Sequence, residues 1–436
     1  MSLSILDHWR RTVKLAPMAA ALTDVSTERI WTRAELETAG ETWRTEHAAS
    51  AHRRVVVFAE PNGPEWFRIF LGVLTADAVA VALDPGEPLE AQRAVAENLG
   101  ALLWTKGRLE SVAARPRRAR EGERVVKVTS GSTGVPRALR FTDAQMIADG
   151  RQVCSSMRVG PDDLNLGCIP FGHSYGLGNL VLPLLLQGTA LVSGAPVLPQ
   201  ALGAAIARWR PTVFPAVPAL LRALADADVD AKQLESLRTV ISAGAPLAPE
   251  VAQAFRRKFS RSIHSFYGSS ETGGIAYDRT GEAALTGRSV GTPMDGVRLR
   301  FGAGKRFWVE SAAVMGRGSF RPADRGELNE LGELALLGRA GRMLKIAGRR
   351  LDPAEVERAL RQLPGVRDAF VDLHATRADT LVAAVATTEN PNALRDALRE
   401  RIASWKIPKR LVVVSEFPLT ARGKADTRRL KEILRG

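Results

Sequence analysis

The stretch that decides the fold is Thr129-Ser-Gly-Ser-Thr-Gly-Val-Pro-Arg137, which follows the run Arg124-Val-Val-Lys-Val128. The β-branched run predicts a buried strand, and the stretch after it predicts a turn rich in hydroxyls and glycines. Glycines let successive backbone N–H groups point at one anion, hydroxyls add donors, and Arg137 adds positive charge at the exit. These features predict a phosphate-binding loop formed by Thr129, Ser130, Gly131, Ser132, Thr133, Gly134 and Arg137.

Two other kinds of loop have sequences similar to this stretch. A solvated turn has a similar composition, so composition alone does not establish a phosphate site. A Walker-type loop requires Lys-Ser or Lys-Thr directly after its second glycine, and this chain has Val135-Pro136 there. The sequence therefore argues against a Walker-type nucleotide triphosphatase.

The stretch resembles the phosphate-loop signature of the adenylate-forming superfamily, which includes acyl-CoA synthetases, aryl-CoA ligases, luciferases and peptide-synthetase adenylation domains. The family usually ends this signature with lysine, whereas this chain has Arg137. Further motifs follow in the family's order, so the resemblance extends from about Ile5 to the C-terminus. An early one is Trp31-Thr-Arg-Ala-Glu-Leu36, which resembles the family's first conserved segment.

Two segments resemble the family's nucleotide site. Val240-Ile-Ser-Ala-Gly-Ala-Pro-Leu247 reads as a strand and a turn, and the resemblance implies that Gly244, Ala245 and Pro246 form a wall of the adenine site. Phe266-Tyr-Gly-Ser-Ser-Glu-Thr-Gly-Gly274 is similar to the Y-G-x-T-E motif, with serine in place of threonine. An adjacent hydroxyl and carboxylate suit a phosphate contact and a Mg²⁺ ligand. The resemblance implies nucleotide contacts from Tyr267, Gly268 and Ser270, and metal binding by Glu271.

The C-terminal third contains the remaining motifs. The resemblance implies that Asp324 accepts hydrogen bonds from the ribose hydroxyls and that Arg339 binds ribose or phosphate, although Pro322-Ala323 replaces the family's Thr-Gly. Lys424, in Phe417-Pro-Leu-Thr-Ala-Arg-Gly-Lys424, is implied as the catalytic lysine, and Gly348 is implied to lie on the thiol path. The family's hinge residue, usually Asp or Lys, is replaced by Gly341.

The segment Pro170-Phe-Gly-His-Ser-Tyr-Gly-Leu177 bears on the acid substrate. A histidine among aromatic residues is often a core residue, but the segment resembles P-x-x-H-x-x-G-L of acyl- and aryl-CoA ligases, in which this histidine lines the acid pocket. The resemblance implies a catalytic-site role for His173. Residues 170–178 contain no carboxylate to pair with an ammonium group, so we expect an acid without an α-amino group.

Alternating strand and helix patterns predict an α/β fold with parallel-type sheets covered by helices. We expect a large N-terminal domain over residues 1–339, with a β subdomain and the ATP and acid sites. A small mobile α+β domain over residues 340–436 would carry Lys424.

Cysteine pattern, apolar stretches and net charge argue against several classes of protein. The two cysteines show no C-x-x-C pattern, which favours packing roles in a reducing cytoplasm. Charged residues interrupt the N-terminus, and the longest apolar stretch, Leu180 to Leu186, is far below the roughly 20 residues that span a bilayer. We therefore expect neither an export signal nor an integral membrane segment. The net charge of +14 is spread along the chain, which disfavours nucleic-acid binding and suits acidic partners.

The resemblance implies a two-step reaction that uses ATP and Mg²⁺. A carboxylic acid is converted to an acyl-adenylate with release of pyrophosphate, and a thiol then displaces AMP. The acceptor is predicted to be coenzyme A, with the phosphopantetheine of an acyl carrier protein as the alternative. A nucleotide-binding protein without activity would require decayed ATP motifs, and the motifs are mostly intact.

Overall fold

The computed structural model describes residues 3–113, 116–129, 137–339, 344–346, 349–377, 380–420 and 425–435. The chain divides into two compact units. The first comprises residues 1–299 and 309–320, and the second comprises residues 300–308 and 321–436. A functional boundary at residue 339 stays a prediction.

The helices are α1 (Ile5–Leu15), α2 (Arg33–Ala51), α3 (Pro64–Thr75), α4 (Leu89–Leu99), α5 (Asp143–Met157), α6 (Ser174–Gly176), α7 (Leu182–Gln187), α8 (Pro199–Trp209), α9 (Pro218–Asp226), α10 (Pro249–Phe259), α11 (Glu282–Thr286), α12 (Pro353–Arg361), α13 (Pro391–Arg399) and α14 (Thr427–Arg435). Shorter turns are the π-helix Leu177–Val181 and the 3₁₀ segments Ala231–Leu234, Ala303–Lys305 and Ser404–Lys406.

The first-unit strands and those at its border are β1 (Ala20–Asp24), β2 (Arg29–Thr32), β3 (Val55–Phe58), β4 (Val79–Ala82), β5 (Leu102–Thr105), β6 (Arg108–Ser111), β7 (Val125–Thr129), β8 (Arg137–Phe141), β9 (Leu164–Gly167), β10 (Ala190–Ser193), β11 (Val213–Ala216), β12 (Thr239–Ser242), β13 (Ile263–Ser269), β14 (Gly273–Tyr277), β15 (Thr292–Pro293), β16 (Arg298–Gly302), β17 (Arg306–Glu310) and β18 (Ser319–Phe320). They are followed by β19 (Asp324–Leu328), β20 (Leu334–Arg339), β21 (Leu344–Ile346), β22 (Arg349–Leu351), β23 (Asp368–Leu373), β24 (Leu381–Ala386) and β25 (Arg410–Val414).

Side-chain caps explain where several helices begin. Thr32 accepts a hydrogen bond from the backbone N–H of Glu35, and the Glu35 carboxylate accepts one from the backbone N–H of Thr32. This reciprocal arrangement satisfies two of the N–H groups that a helix terminus leaves unpaired. The spacing of Thr32 and Glu35 is typical of this cap, so the local sequence alone indicates the start of α2.

Two largely parallel sheets form the framework of the first unit. One has the strand order β15-β14-β13-β12-β11-β9-β10-β1-β2, with β13 through β1 parallel and β14, β15 and β2 antiparallel to their neighbours. The other has the order β6-β5-β3-β4-β7-β8, with antiparallel strands at both ends. The carboxyl ends of parallel strands meet at one edge of a sheet, where α/β proteins commonly bind ligands.

Large aromatic and aliphatic side chains fill the core of this unit, including Trp9, Trp43, Trp66 and Phe141. The apolar stretch near Leu180 is a buried π-helix that continues into α7. No helix in the described part of the chain combines the length and apolarity that crossing a membrane demands. Cys154 and Cys168 are free thiols, and burial raises the pKa of each to about 12.

The second unit is of the α+β type. Strands β19 and β20 form an antiparallel hairpin, and β24 lies between antiparallel β23 and parallel β25. Helix α12 begins at Asp352, whose side chain accepts a hydrogen bond from the backbone N–H of Ala354, with Pro353 in the first turn. Aspartate at the cap and proline directly after it are sequence signals typical of a helix start.

Candidate active site

A β-hairpin carries the predicted phosphate loop. Strands β7 and β8 are antiparallel, and Thr129 at the end of β7 lies opposite Arg137 at the start of β8. The structure therefore places the first and last residues of the predicted loop side by side. Ser130, Gly131, Ser132, Thr133 and Gly134 lie outside the described residues, so their phosphate-binding role stays a prediction.

A second tight hairpin carries Glu271. Strands β13 and β14 pair Gly268 with Gly274, and a register shift occurs between Tyr267 and Gly268. A Cβ atom at Gly268 would lie 2.6 Å from the carbonyl oxygen of Gly273, so the hairpin closes only with glycine there. The backbone N–H of Met315 donates to the carbonyl oxygen of Glu271 at 2.9 Å. Both contacts fix the backbone on either side of the carboxylate.

Arg137 and Glu271 meet although 134 positions separate them in the sequence. The Arg137 Nη1 atom lies 3.8 Å from Glu271 Oε1, with the arginine side chain 58% exposed and the glutamate side chain 20% exposed. This distance is too long for a hydrogen bond, so the contact is a loose ion pair. A cation and a carboxylate thus face each other at the exit of the predicted phosphate loop.

The His173 segment contacts the same turn. The Ser174 hydroxyl donates to the Ser270 hydroxyl at 3.0 Å. His173 caps α6, because its Nδ1 atom accepts the backbone N–H of Tyr175 at 3.2 Å. Since Nδ1 accepts, the neutral imidazole carries its proton on Nε2. The structure therefore brings together the His173 segment and the Ser270-Glu271 pair, as expected of one site.

Asn62 is a residue whose role the local sequence does not reveal. The N-cap of α3 is Gly63, without a side-chain cap. The Asn62 side chain instead donates to the carbonyl oxygens of Gly167 at 2.9 Å and Ile169 at 2.7 Å, and it accepts the N–H of Phe171 at 2.7 Å. It thereby anchors the chain that leads into His173. No local pattern around Asn62 indicated these bonds across more than 100 residues.

The predicted adenine wall follows β12. Gly244 has a φ of +87°, in the left-handed region that favours glycine, and Ala245 and Pro246 continue the turn. Strands β12 and β13 are parallel, with Ser242 opposite Ser265. The turn after β12 and the end of β13, which includes Tyr267, therefore lie at the same edge of the sheet.

The remaining predicted site residues belong to the second unit. Asp324 and Arg339 are directly opposite each other in the β19–β20 hairpin, so the predicted ribose ligand and the predicted ribose or phosphate ligand share one register position. The Arg339 side chain is outside what the structure describes. Lys424, Gly348 and Gly341 also lie outside the described residues, and their predicted roles stay predictions.

Comparison with protein families shows which family the chain belongs to. The AMP-binding enzyme family matches residues 124–301, which include both hairpins, and the AMP-binding enzyme C-terminal domain matches residues 355–424. The chain belongs to the adenylate-forming superfamily of AMP-binding enzymes. The resemblance stated from the motifs is thereby confirmed.

Relatives within this superfamily differ in length. An indoleacetate–CoA ligase of Aromatoleum aromaticum is 28% identical over 433 residues, covering 89% of this chain and 82% of the relative. A p-hydroxybenzoic acid–AMP ligase of Mycobacterium tuberculosis is 29% identical over 336 residues, covering 68% of this chain and 46% of the relative. The match thus spans about half the length of the mycobacterial relative.

Solved structures of the superfamily confirm the α/β fold with its smaller C-terminal part. ATP-bound MatB from Rhodopseudomonas palustris has a TM-score of 0.85 at 18% identity, with 99% of both chains covered. The anthranilate CoA ligase AuaEII in complex with anthranoyl-AMP has a TM-score of 0.83 at 17% identity, covering 99% of this chain and 97% of that one. At these identities the likeness concerns the fold alone.

The donor set around Glu271 fits a magnesium ion that arrives with a nucleotide. Within the ranges that the structure describes, His, Cys, Asp and Glu side chains form no group of three or more able to hold a metal ion. Mg²⁺ in nucleotide sites is usually bound by one or two carboxylates together with phosphate oxygens and water. A single carboxylate beside the predicted phosphate loop is consistent with that arrangement.

Proposed function

We propose that this chain is an AMP-forming acid–thiol ligase, which converts a carboxylic acid to an acyl-adenylate and transfers the acyl group to coenzyme A. The observation that carries the proposal is the meeting of Arg137 and Glu271 at the exit of the phosphate loop. The names of the relatives, an indoleacetate–CoA ligase and a p-hydroxybenzoic acid–AMP ligase among them, support activation of an aromatic acid.

Positioning and charge neutralisation account for the first step. The acid's carboxylate attacks the α-phosphorus of ATP, the bond to pyrophosphate breaks, and no covalent enzyme nucleophile is needed. Arg137 and the loop N–H groups would bind phosphate oxygens, Ser270 would donate a hydrogen bond to a phosphate, and Glu271 would hold Mg²⁺. The metal, when bound, neutralises phosphate charge that grows in the transition state.

The surroundings of the His173 segment support an acid without an α-amino group. Residues 170–178 have no carboxylate of their own. Asp149 does approach Gly178, but it is buried and paired with Lys127, whose Nζ atom lies 3.6 Å from Asp149 Oδ2. That carboxylate is already neutralised, so a buried substrate ammonium would lack a counter-charge, at a cost of several kcal/mol.

Two thiol compounds are candidate acceptors of the acyl group in the second step. Coenzyme A is the proposed acceptor, and loading of an acyl carrier protein is the alternative, which the chain's net charge of +14 would assist because carrier proteins are acidic. Both reactions transfer the acyl group to a thiol with AMP as the leaving group.

Pyrophosphate release across a panel of aryl, fatty and amino acids tests the proposal. We expect release with aryl or acyl acids and thioester formation when coenzyme A is added. Faster activation of a proteinogenic amino acid would refute the substrate class. Thioester formation on a phosphopantetheinylated carrier protein, but not on coenzyme A, would favour the alternative acceptor.

A further inference from the structure

A buried ion pair lies beside the two hairpins. Lys127 is on β7, two residues before Thr129, and Asp149 is on α5. Their side chains meet at 3.6 Å between Nζ and Oδ2, and each residue is only 3% exposed. The Lys127 ammonium also lies 4.5 Å from the centre of the Phe141 ring, so both an aromatic ring and a carboxylate are close to it.

Stability alone does not account for this pair. The cost of removing two charges from water often exceeds their mutual attraction, and apolar residues of similar size frequently serve a core as well or better. Burial lowers the pKa of Lys127, while Asp149 and, more weakly, Glu271 favour its charged form. The pair therefore points to a positional requirement for the oxygen atoms of Asp149, with the Lys127 ammonium neutralising the carboxylate charge.

Asp149 contacts the turn that follows Glu271. Its Oδ1 atom accepts the backbone N–H of Gly274 at 3.3 Å. Gly273 has a φ of +69°, and a Cβ atom there would lie 2.1 Å from the same Oδ1 atom. The turn thus approaches the carboxylate so closely that only glycine is accommodated.

The same carboxylate also reaches the His173 segment. A Cβ atom at Gly178 would lie 3.3 Å from Asp149 Oδ2, so the π-helix backbone packs directly against it. Asp149 is therefore in contact with three segments of the candidate site: the strand that leads to the phosphate loop, the turn after Glu271 and the end of the His173 segment.

We propose that Asp149 and Lys127 are positioning residues. They hold the turn between β13 and β14, which carries Glu271, at a fixed distance from β7, the strand that leads to the predicted phosphate loop. The inference rests on the proposed adenylation. Neither side chain is expected to touch substrate. Their role is to fix the distance between the Glu271 carboxylate and the backbone of the predicted phosphate loop, so that MgATP binds in the reactive geometry.

Three variants test the pair. Asp149→Asn keeps an oxygen that can accept the Gly274 N–H but leaves the Lys127 ammonium unpaired, and Lys127→Met leaves the carboxylate unpaired. Displacement of reacting groups by about 1 Å can cost 10²-fold, so we expect each single variant to lower kcat for pyrophosphate release by roughly 10- to 100-fold. The Mg²⁺ concentration for half-maximal rate should rise as well.

The double variant Lys127→Met/Asp149→Asn removes both charges. It keeps side chains of similar shape and the oxygen atom that accepts the Gly274 N–H. Because coupled residues are strongly non-additive, we expect it to recover to within about 5-fold of wild type in both measurements. Gly178→Ala is a further, milder variant should the single variants fold poorly. Its methyl group would press on the Asp149 carboxylate and raise the Mg²⁺ requirement without altering charge.

Asp278→Asn is the matched control. Asp278 is a buried carboxylate in the same unit that accepts the N–H groups of Gly281 and Ala284, so its substitution should lower the Tm while leaving the Mg²⁺ requirement unchanged. If the Lys127 and Asp149 variants behave in this way, with a lower Tm but wild-type kcat and Mg²⁺ dependence, the positional role is refuted.

Failure of the proposed function would be recognised separately. If wild-type protein released no pyrophosphate with any acid, calorimetric titration with a non-hydrolysable ATP analogue, with and without Mg²⁺, would replace the rate assay. The positional role then predicts weaker Mg²⁺-dependent binding in the single variants and recovery in the double variant. Unchanged binding in the single variants, or no binding by wild type, would overturn it.

Discussion

Replacement of Glu271 by glutamine tests the centre of the candidate site, because it removes a charge while keeping the side chain's shape. The carboxylate lies 3.8 Å from Arg137, which is 58% exposed, and such solvated pairs contribute about 0–1 kcal/mol to stability. The hydrogen bond from Met315 reaches the Glu271 backbone and is unaffected by the substitution. We therefore expect the free energy of unfolding to fall by less than about 1 kcal/mol.

Catalysis should respond far more strongly. A metal-binding carboxylate acts on phosphate charge that develops in the transition state, and losing one such preorganised group typically costs about 10²-fold or more, equivalent to about 2.7 kcal/mol. The expected result is therefore a variant that folds almost as well as wild type but releases pyrophosphate about 100-fold more slowly. This disproportion between stability and rate distinguishes a catalytic carboxylate from a structural one.

The assay combines thermal unfolding with pyrophosphate release at several Mg²⁺ concentrations. Glu310→Gln is a suitable control, because Glu310 forms an ion pair with Arg298 at 3.1 Å within the same unit. The control should match Glu271→Gln in stability and wild type in rate. Wild-type rates for the folded Glu271→Gln protein at every Mg²⁺ concentration would refute the assignment.

Three further predictions address other parts of the chain. Thr32→Ala removes the cap of α2 and should lower the free energy of unfolding by about 1 kcal/mol in chemical denaturation, with unchanged activity per folded molecule. Lys424→Ala should slow adenylation by about 10²- to 10³-fold but leave thioester formation from supplied acyl-adenylate unchanged. Gly348→Leu should have the opposite effect, with normal adenylation and no acyl transfer to the thiol. Equal loss of both steps in both variants would contradict this separation. Partial burial raises the pKa of Cys154 and Cys168 to about 12, so a thiol reagent at pH 8 should label them roughly 10³-fold more slowly than an ordinary thiol until the protein unfolds. Rapid labelling of the native protein would contradict the raised pKa.

The sequence by itself determined the α/β class, many helix starts and the family. Local patterns carry this information: β-branched runs predict strands, and reciprocal pairs such as Thr32 with Glu35 predict helix caps because the interacting groups lie within one turn. The Tyr267 to Gly274 motif likewise encodes its own hairpin, since its glycines permit a turn that other residues would obstruct. Such features depend on neighbours along the chain, so a single sequence reveals them.

Only the tertiary structure decided which distant side chains meet. Asn62 lies just before α3, yet its amide binds backbone groups more than 100 residues away. Lys127 appeared to be part of an apolar strand, and its partner Asp149 lies on a different element. Hydrogen bonds and ion pairs of this kind leave no periodic or local signal, because their geometry arises from the packing of whole sheets and helices. The contacts that support the candidate site therefore became visible only when those elements were assembled.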